Sequence, residues 1–257
     1  MSILKRTGYF VGLPLLLVIA WWALTLGPTN FYVPTPQKLA ETFWKVWTGE
    51  RFFTDFLPSI ARLLIGLVVT IVLGIVLGVL IGSYRWLRSL TEPVLEFFRA
   101  IPPPVLVPLF MLIIGANDQM RIVVIVSGAI WPVLLNTVEG VRAVDQVLTN
   151  TSRTYRIDGF ARLRYLVLPA ATPQIMTGIR QSLSIGLILM VISEMFGGSS
   201  GLGFTIVLFQ RGFAIPEMWS GIVVLGLIGI ALSLISKAIE RRVLRWYHGL
   251  KEVQRDS

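Results

Sequence analysis

The chain has 257 residues, of which 54% are hydrophobic and 14% charged, with a mean hydropathy of +0.75 and a formal net charge of +9. Soluble domains carry about 25% charged residues, so this composition excludes a water-soluble globular protein and indicates an integral membrane protein, one domain without a large soluble appendage. The absence of cysteine excludes disulfides and thiolate chemistry, and a single histidine, His248 in the basic tail, argues against a histidine metal cluster or a Ser-His triad.

A crossing helix needs about 20 mostly apolar residues. The first such segment runs from Tyr9 to Leu26, behind Lys5 and Arg6. A cleaved signal peptide would begin the same way, but this run is long and no small-x-small cleavage site follows, so we read it as a retained anchor. Segment 27–57 carries Pro28, Pro34 and Pro36, then LAETFWKVW. Its Leu39, Phe43, Trp44, Val46 and Trp47 suit a short interfacial helix with tryptophans at head-group depth.

The second span, Ser59 to Gly82, contains Gly66, Gly74, Gly78 and Gly82; the last three share one helix face and allow close approach of another helix. That seam lies either within the chain or between two copies. The third span, Ile101 to Ile114, is short and opens on Pro102-Pro103-Pro104 with Pro108 following. Each proline removes a backbone donor, and broken backbone at membrane depth persists only beside protein or a water-filled cavity. Pro102 and Pro103 are therefore candidates for lining a pathway; a cytoplasmic elbow entering the helix is the other reading.

The fourth span is Ile122 to Val141, with Asn136 as a polar lining candidate. The fifth is Pro173 to Phe196. It contains Arg180 about two turns in and Glu194 near its other end, roughly 21 Å further along the axis and too far apart to pair. Charged residues inside spans are costly and are functional candidates. Arg180 either attracts an anion or snorkels or bonds to a neighbouring helix; Glu194 either closes an outer gate or holds the loop Gly197-Gly198-Ser199-Ser200-Gly201. The sixth span is Trp219 to Ser236. No G-x-x-x-x-G-K-[ST] occurs, so the glycine-rich stretch 197–203 is read as tight turns leading to an outer re-entrant segment, and the chain carries no ATPase site of its own.

Lys and Arg fix the orientation. With the N-terminus inside, segments 1–8, 84–99, 142–170 and 237–257 hold 16 of the 23 basic residues, and the outer segments hold five. Both termini and the 142–170 loop are thus expected in the cytoplasm. The excess charge belongs to these loops, against anionic lipid or a soluble partner, and not to nucleic acid.

That loop is the most informative stretch. Asn150 to Gly178 reads NTSRTYRIDGFARLRYLVLPAATPQIMTG. Arg153, Arg156, Arg162 and Arg164 alternate with Ile157, Phe160, Leu163, Leu166 and Val167 at near-helical spacing, which predicts an amphipathic helix over about 150–165, exposed enough to dock on a soluble partner.

The segment resembles the E-A-A…Gly…Leu-Pro loop of permease subunits of bacterial ATP-binding-cassette importers. Leu168-Pro169 matches its end, Arg156 falls on the family's glycine, and Asn150-Thr151-Ser152 replace E-A-A, so the acidic residue and the glycine are both missing here. Ser152-Arg153-Thr154-Tyr155, Val167-Leu168-Pro169-Ala170, Ala100-Ile101-Pro102-Pro103, Thr177-Gly178-Ile179-Arg180, Gly201-Leu202-Gly203 and Glu240-Arg241-Arg242 resemble the nitrate, sulfonate and taurine branch.

The resemblance implies an all-α integral membrane protein of six transmembrane helices with type I importer architecture, in the bacterial plasma (inner) membrane. The permease domain would span 1–257, residues 1–58 forming the first span and outer segment, and residues 59–257 a five-helix core whose third and fifth spans line the route. It implies a second permease chain, most simply in a homodimer. It further implies two ATPase subunits that bind ATP and Mg, an extracytoplasmic binding protein, and a small anion as cargo. Arg153, Tyr155, Arg156, Ile157, Phe160, Leu163 and Arg164 are the residues expected to dock the ATPase. The competing readings are an ATP-independent secondary transporter or channel, and a membrane scaffold. A secondary transporter would favour an inverted repeat or acidic residues deep in several spans, and the sequence offers neither.

Overall fold

The computed structural model describes residues 3–25 and 31–247, and among these residues every regular element is helical. His248 and the tail residues Lys251 and Arg255 lie outside the described residues, as do Leu26 and Pro28. Helix α1 spans Ile3–Thr25, and its described apolar part is Leu15–Thr25. The interfacial helix expected after the prolines is α2, Pro36–Trp47. It starts where Thr35 caps it, accepting from the Lys38 N–H at 3.3 Å, with Pro36 at the first turn where a missing donor costs nothing. Its two tryptophans separate: Trp44 is exposed, whereas Trp47 is buried and donates its indole N–H to Ser220 Oγ at 3.1 Å.

Four helical runs are long and apolar enough to cross a membrane: Phe52–Ser83, Asp118–Arg142, Gly159–Phe196 and Ile215–Val243. They contain α3 (Leu57–Ser83), α6 (Asp118–Arg142), α9 (Leu168–Gly197) and α11 (Ile215–Val243). Each extends past the boundaries expected from hydropathy, because helix geometry continues into polar residues that hydropathy discounts. Two of the runs contain one π turn, Phe52–Phe56 at the start of the first and Leu163–Val167 after the opening turn of the third, and both π turns stand directly before a Leu-Pro pair. The prolines, Pro58 and Pro169, donate no backbone hydrogen bond, and the ring crowds the preceding turn, which widens.

The third expected span is a bent pair: α4 (Arg85–Ala100) and the helical run Pro103–Ile114, which ends in α5 (Leu106–Ile114), meet at 74°. The break falls on Ile101-Pro102, where extended backbone is forced on the residue preceding a proline. Counted as one span, the pair brings the apolar spans among the described residues from four to five. The prolines form an elbow, and Pro103 and Pro104 of that elbow face a cleft. The α4 helix is amphipathic, with Trp86, Leu90, Val94 and Phe97 exposed along one face and Leu87 and Leu95 packed inward.

The core is the three-helix set α3, α6 and α9. The glycine face of α3 is an intrachain seam: a Cβ on Gly74 would stand 2.7 Å from Val133 Cβ, and one on Gly78 2.6 Å from Thr137 Cβ. Against α9 the small residues lie on both partners; Gly128 and Gly140 of α6 and Gly178 of α9 leave no room for a side chain. These close approaches bury Val124, Ile125, Ala129, Val133 and Met190 completely or nearly so. The outer faces of α3 and α11 expose Leu64, Ile65, Val68, Val72, Leu227, Ile230 and Leu234, as surfaces facing hydrocarbon require.

Candidate functional site

Three places carry polar chemistry. The first is a buried cluster at the end of the core formed by the start of α3 and the end of α9. Glu194, fully buried, accepts from Arg62 Nη1 at 2.8 Å and from Ser59 Oγ at 2.7 Å. Arg62 also donates through Nε to Asp118 Oδ1 at 2.9 Å and through Nη2 to Ser200 Oγ at 3.1 Å, and Arg121 donates to the same Asp118 oxygen at 2.8 Å.

The cluster caps a helix. Consecutive N–H groups at the start of α10 (Leu202–Arg211) are each taken by a side chain from elsewhere. Gly201 donates to Asp55 at 2.9 Å, Leu202 to Ser59 at 2.8 Å and Gly203 to Glu194 at 3.0 Å. These are the donors a helix N-terminus leaves unpaired, and carboxylates suit its positive end. Gly201 has φ +116°, and a Cβ there would fall within 2.6 Å of both Glu194 carboxylate oxygens. Glu194 thus holds the glycine-rich loop, one of the two roles its position suggested. Arg62, Ser59, Asp55 and Asp118 were not singled out from sequence, although Arg62 as a charge inside a span was the available signal.

The second place is an open-sided cleft of about 800 Å³ among α4, the proline elbow, α6 and α9. Pro103 and Asn136 line it, together with Glu96, Arg99, Trp131 and Gln181, while Ile185, Ile188 and Leu189 supply an apolar wall. Asn136 donates to Pro132 O at 2.8 Å and to Gln181 Oε1 at 3.4 Å, so the amides of α6 and α9 meet in it. Pro102, Arg180 and Glu194, also candidates for a pathway, do not line it. Pro102 makes the bend, Glu194 sits in the buried cluster with Arg62, and Arg180 pairs with Glu240 across α9 and α11. Arg180 therefore bonds to a neighbouring helix, the second of its two readings. The residues missed were Glu96, Arg99, Trp131 and Gln181; Gln181 was legible as an amide inside an apolar span.

The third place is the polar segment 143–167 between α6 and α9. A single helix over 150–165 is not what forms. The chain makes α7 (Gln146–Thr154), turns, and makes α8 (Gly159–Arg162), which continues through the π turn into α9. Asp145 caps α7, accepting from Val147 N–H at 2.7 Å and Leu148 N–H at 3.1 Å. The helix ends in a Schellman closure: the Arg156 N–H bonds Arg153 O at 3.0 Å and the Ile157 N–H bonds Ser152 O at 2.8 Å. That closure requires a left-handed residue, and Arg156 occupies it with φ +55°. Helical spacing alone could not reveal the break, because the periodic apolar residues, Ile157 onward, all lie after the turn at Tyr155-Arg156.

Of the docking candidates, Arg153, Tyr155, Arg156, Phe160 and Arg164 are exposed, Tyr155 and Phe160 each at 73%. Ile157 is less so, at 38%. Leu163 packs inward against the cluster of Val141, Val167 and Ala171. Val147, Leu148 and Tyr165 are exposed on the same segment.

The family of binding-protein-dependent transport system inner membrane components matches residues 70–248. The chain belongs to this family. It is 30% identical to the putative aliphatic sulfonates transport permease protein SsuC of Bacillus subtilis, over 94% of this chain and 89% of that one. It is 28% identical to the taurine transport system permease protein TauC of Escherichia coli, over 97% and 92%. To the riboflavin transport system permease protein RibX of Chloroflexus aurantiacus it is 33% identical, over 92% and 90%. Among solved structures, an inward-facing MetNI methionine ABC transporter superposes with a TM-score of 0.63 at 20% identity, covering 74% of this chain and 94% of that one. The fold is therefore that of an ABC importer permease, and the chain is a membrane-spanning permease subunit of the ABC class.

Proposed function

We propose that two copies of this chain form the translocation route of an ATP-driven importer in the bacterial inner membrane, both termini in the cytoplasm, carrying a small anion such as a sulfonate or taurine. Two partner ATPases bind and hydrolyse ATP with Mg, and an extracytoplasmic binding protein delivers the cargo. No cofactor is assigned to this chain. Names of the relatives support the cargo class, and the basic inner loops support the orientation.

One observation carries the mechanism. The run Gly159–Phe196 is helical throughout its 38 residues, so α8 in the cytoplasm and the α9 residues lining the cleft belong to one rod. A displacement imposed on the exposed α7–α8 turn when the ATPases close is transmitted along this unbroken helix, by way of the π turn Leu163–Val167 and Pro173, to Gln181 and Ile185. Tyr155 and Phe160 offer aromatic anchors for that contact, and Arg153, Arg156 and Arg164 offer charge-assisted hydrogen bonds to carboxylates on the ATPase. The glycine-held α10 and the buried Arg62–Glu194 cluster keep the outer ends of α3, α6 and α9 together as that rod moves.

The test is ATP hydrolysis by the chain in lipid, co-expressed with the ATPase and binding protein encoded beside it, with candidate anions added singly. Stimulation by one anion only when its binding protein is present is the expected result. Failure of the chain to associate with any ATPase would overturn the reading.

A further inference from the structure

We propose that Arg99 is the residue through which the cleft holds its cargo, and that this cargo is a small organic anion with a sulfonate or carboxylate head on a short alkyl body. The proposal rests on the importer reading above and adds the site. Arg99 stands in the last turn of α4, immediately before the proline elbow, and is the one Lys or Arg lining the 800 Å³ cleft. It also lines a smaller cavity of about 260 Å³ between α4 and α6, so it sits where the cleft opens toward the cytoplasmic end.

Its present partner is Glu96, one turn earlier, at 2.6 Å. The two side chains are 46% and 56% exposed. An exposed pair of this kind holds weakly, so an incoming anion can take the guanidinium without breaking a buried bond. A guanidinium presents two parallel N–H donors, which match two oxygens of a sulfonate or carboxylate. Gln181 completes the polar end. Its Oε1 accepts from Asn136, which leaves its Nε2 as the donor toward the cleft. Across from these groups, Trp131 and Ile188 give an apolar wall suited to an alkyl body. Arg180, the cation that the sequence suggested for this task, is committed to Glu240 outside the cleft. In the smaller cavity three arginines face three glutamates, Arg88 and Arg142 included, with Arg142 already paired to Glu139 at 2.7 Å. A balanced exit of this kind attracts the anion only weakly and lets it leave.

The experiment uses the complete transporter in proteoliposomes, with internal ATP and external binding protein, and measures uptake of labelled ethanesulfonate, taurine and, as a neutral probe, riboflavin. Arg99→Ala is expected to lower anion turnover by about tenfold, while Arg99→Lys, which keeps the charge and loses the fork, retains an intermediate rate. The half-saturating concentration of loaded binding protein stays at its wild-type value, because docking lies elsewhere; a merely structural defect would move it. Anion uptake unchanged in Arg99→Ala overturns the proposal and leaves the importer reading standing. A wild-type transporter that carries only riboflavin overturns the anion cargo itself, and this site with it.

Discussion

Arg62 Nη1 and Glu194 Oε1 stand 2.8 Å apart although 132 residues separate them in the chain, and their side chains are 6% and 0% exposed. Around this pair Ser59, Asp118, Ser200 and Gly203 fill the remaining hydrogen-bonding positions, so the charges are buried but satisfied. Removing one member of such a pair costs more than the pair contributes, because the other is left buried and short of partners. Glu194→Ala is expected to destabilise the protein by about 3–5 kcal/mol, read as a lower thermal unfolding midpoint in detergent. Glu194→Gln, whose amide oxygen still accepts from Gly203, should lose less. A midpoint for Glu194→Ala equal to wild type would contradict the role of the cluster as a clamp.

The seam between α3 and α6 predicts a contrast between two glycines. A Cβ on Gly78 meets Thr137 Cβ and Cγ2 and the Leu134 carbonyl, all within 2.9 Å, whereas one on Gly226 of α11 meets nothing within 4 Å. Gly78→Ala should separate the two helices and cost about 1–3 kcal/mol. Gly226→Ala should be neutral or favourable by up to about 1 kcal/mol, from helix propensity. Thermal unfolding of the two variants side by side checks both, and equal effects would show that the close approach is not what Gly78 provides.

Arg156 occupies the left-handed position that closes α7, at φ +55°. A side chain there costs about 1–2 kcal/mol relative to glycine, which gives a physical reason for a glycine at the matching place in related permeases. Arg156→Gly should raise the unfolding midpoint while leaving the helix break in place. It also tests the arginine itself: if ATPase association weakens while stability rises, the charge is what the strained position retains.

The exposure pattern on the segment between α6 and α9 separates the proposed docking from folding. Tyr155→Asp with Phe160→Asp alters two rings that are each 73% exposed, so the chain should insert and remain folded while the ATPase no longer co-purifies. Leu163→Asp acts differently, because Leu163 packs against the cluster of Val141 and Val167 and a buried carboxylate there lacks a partner. It should lower the yield of folded chain. Intact co-purification of the Tyr155 and Phe160 double variant would place the docking surface elsewhere, on Val147, Leu148 or Tyr165.

Much was legible in the sequence because the membrane restricts the answer. Backbone groups in hydrocarbon must bond within their own helix, so long apolar runs gave the positions of α3, α6, α9 and α11, and the prolines at 102–104 marked the elbow. Leu168-Pro169 together with the flanking motifs gave the family.

What only the tertiary structure decided is which polar groups meet. Glu194 and Arg62 are distant in sequence, and Arg180, two turns into its span, could face any of several neighbours; its rotation toward Glu240 follows from how α9 packs on α6 and α11. The same rotation placed Gln181, not Arg180, in the cleft beside Asn136. Arg99 was invisible as a lining residue because its position depends on the 74° bend at Ile101-Pro102, and a bend angle is set by what the two helices pack against. The periodic apolar residues from Ile157 to Val167 all follow Arg156, so hydrophobic spacing carried no information about its left-handed backbone. Helices are determined by bonds between near neighbours along the chain, whereas a site is determined by the faces those helices turn toward one another.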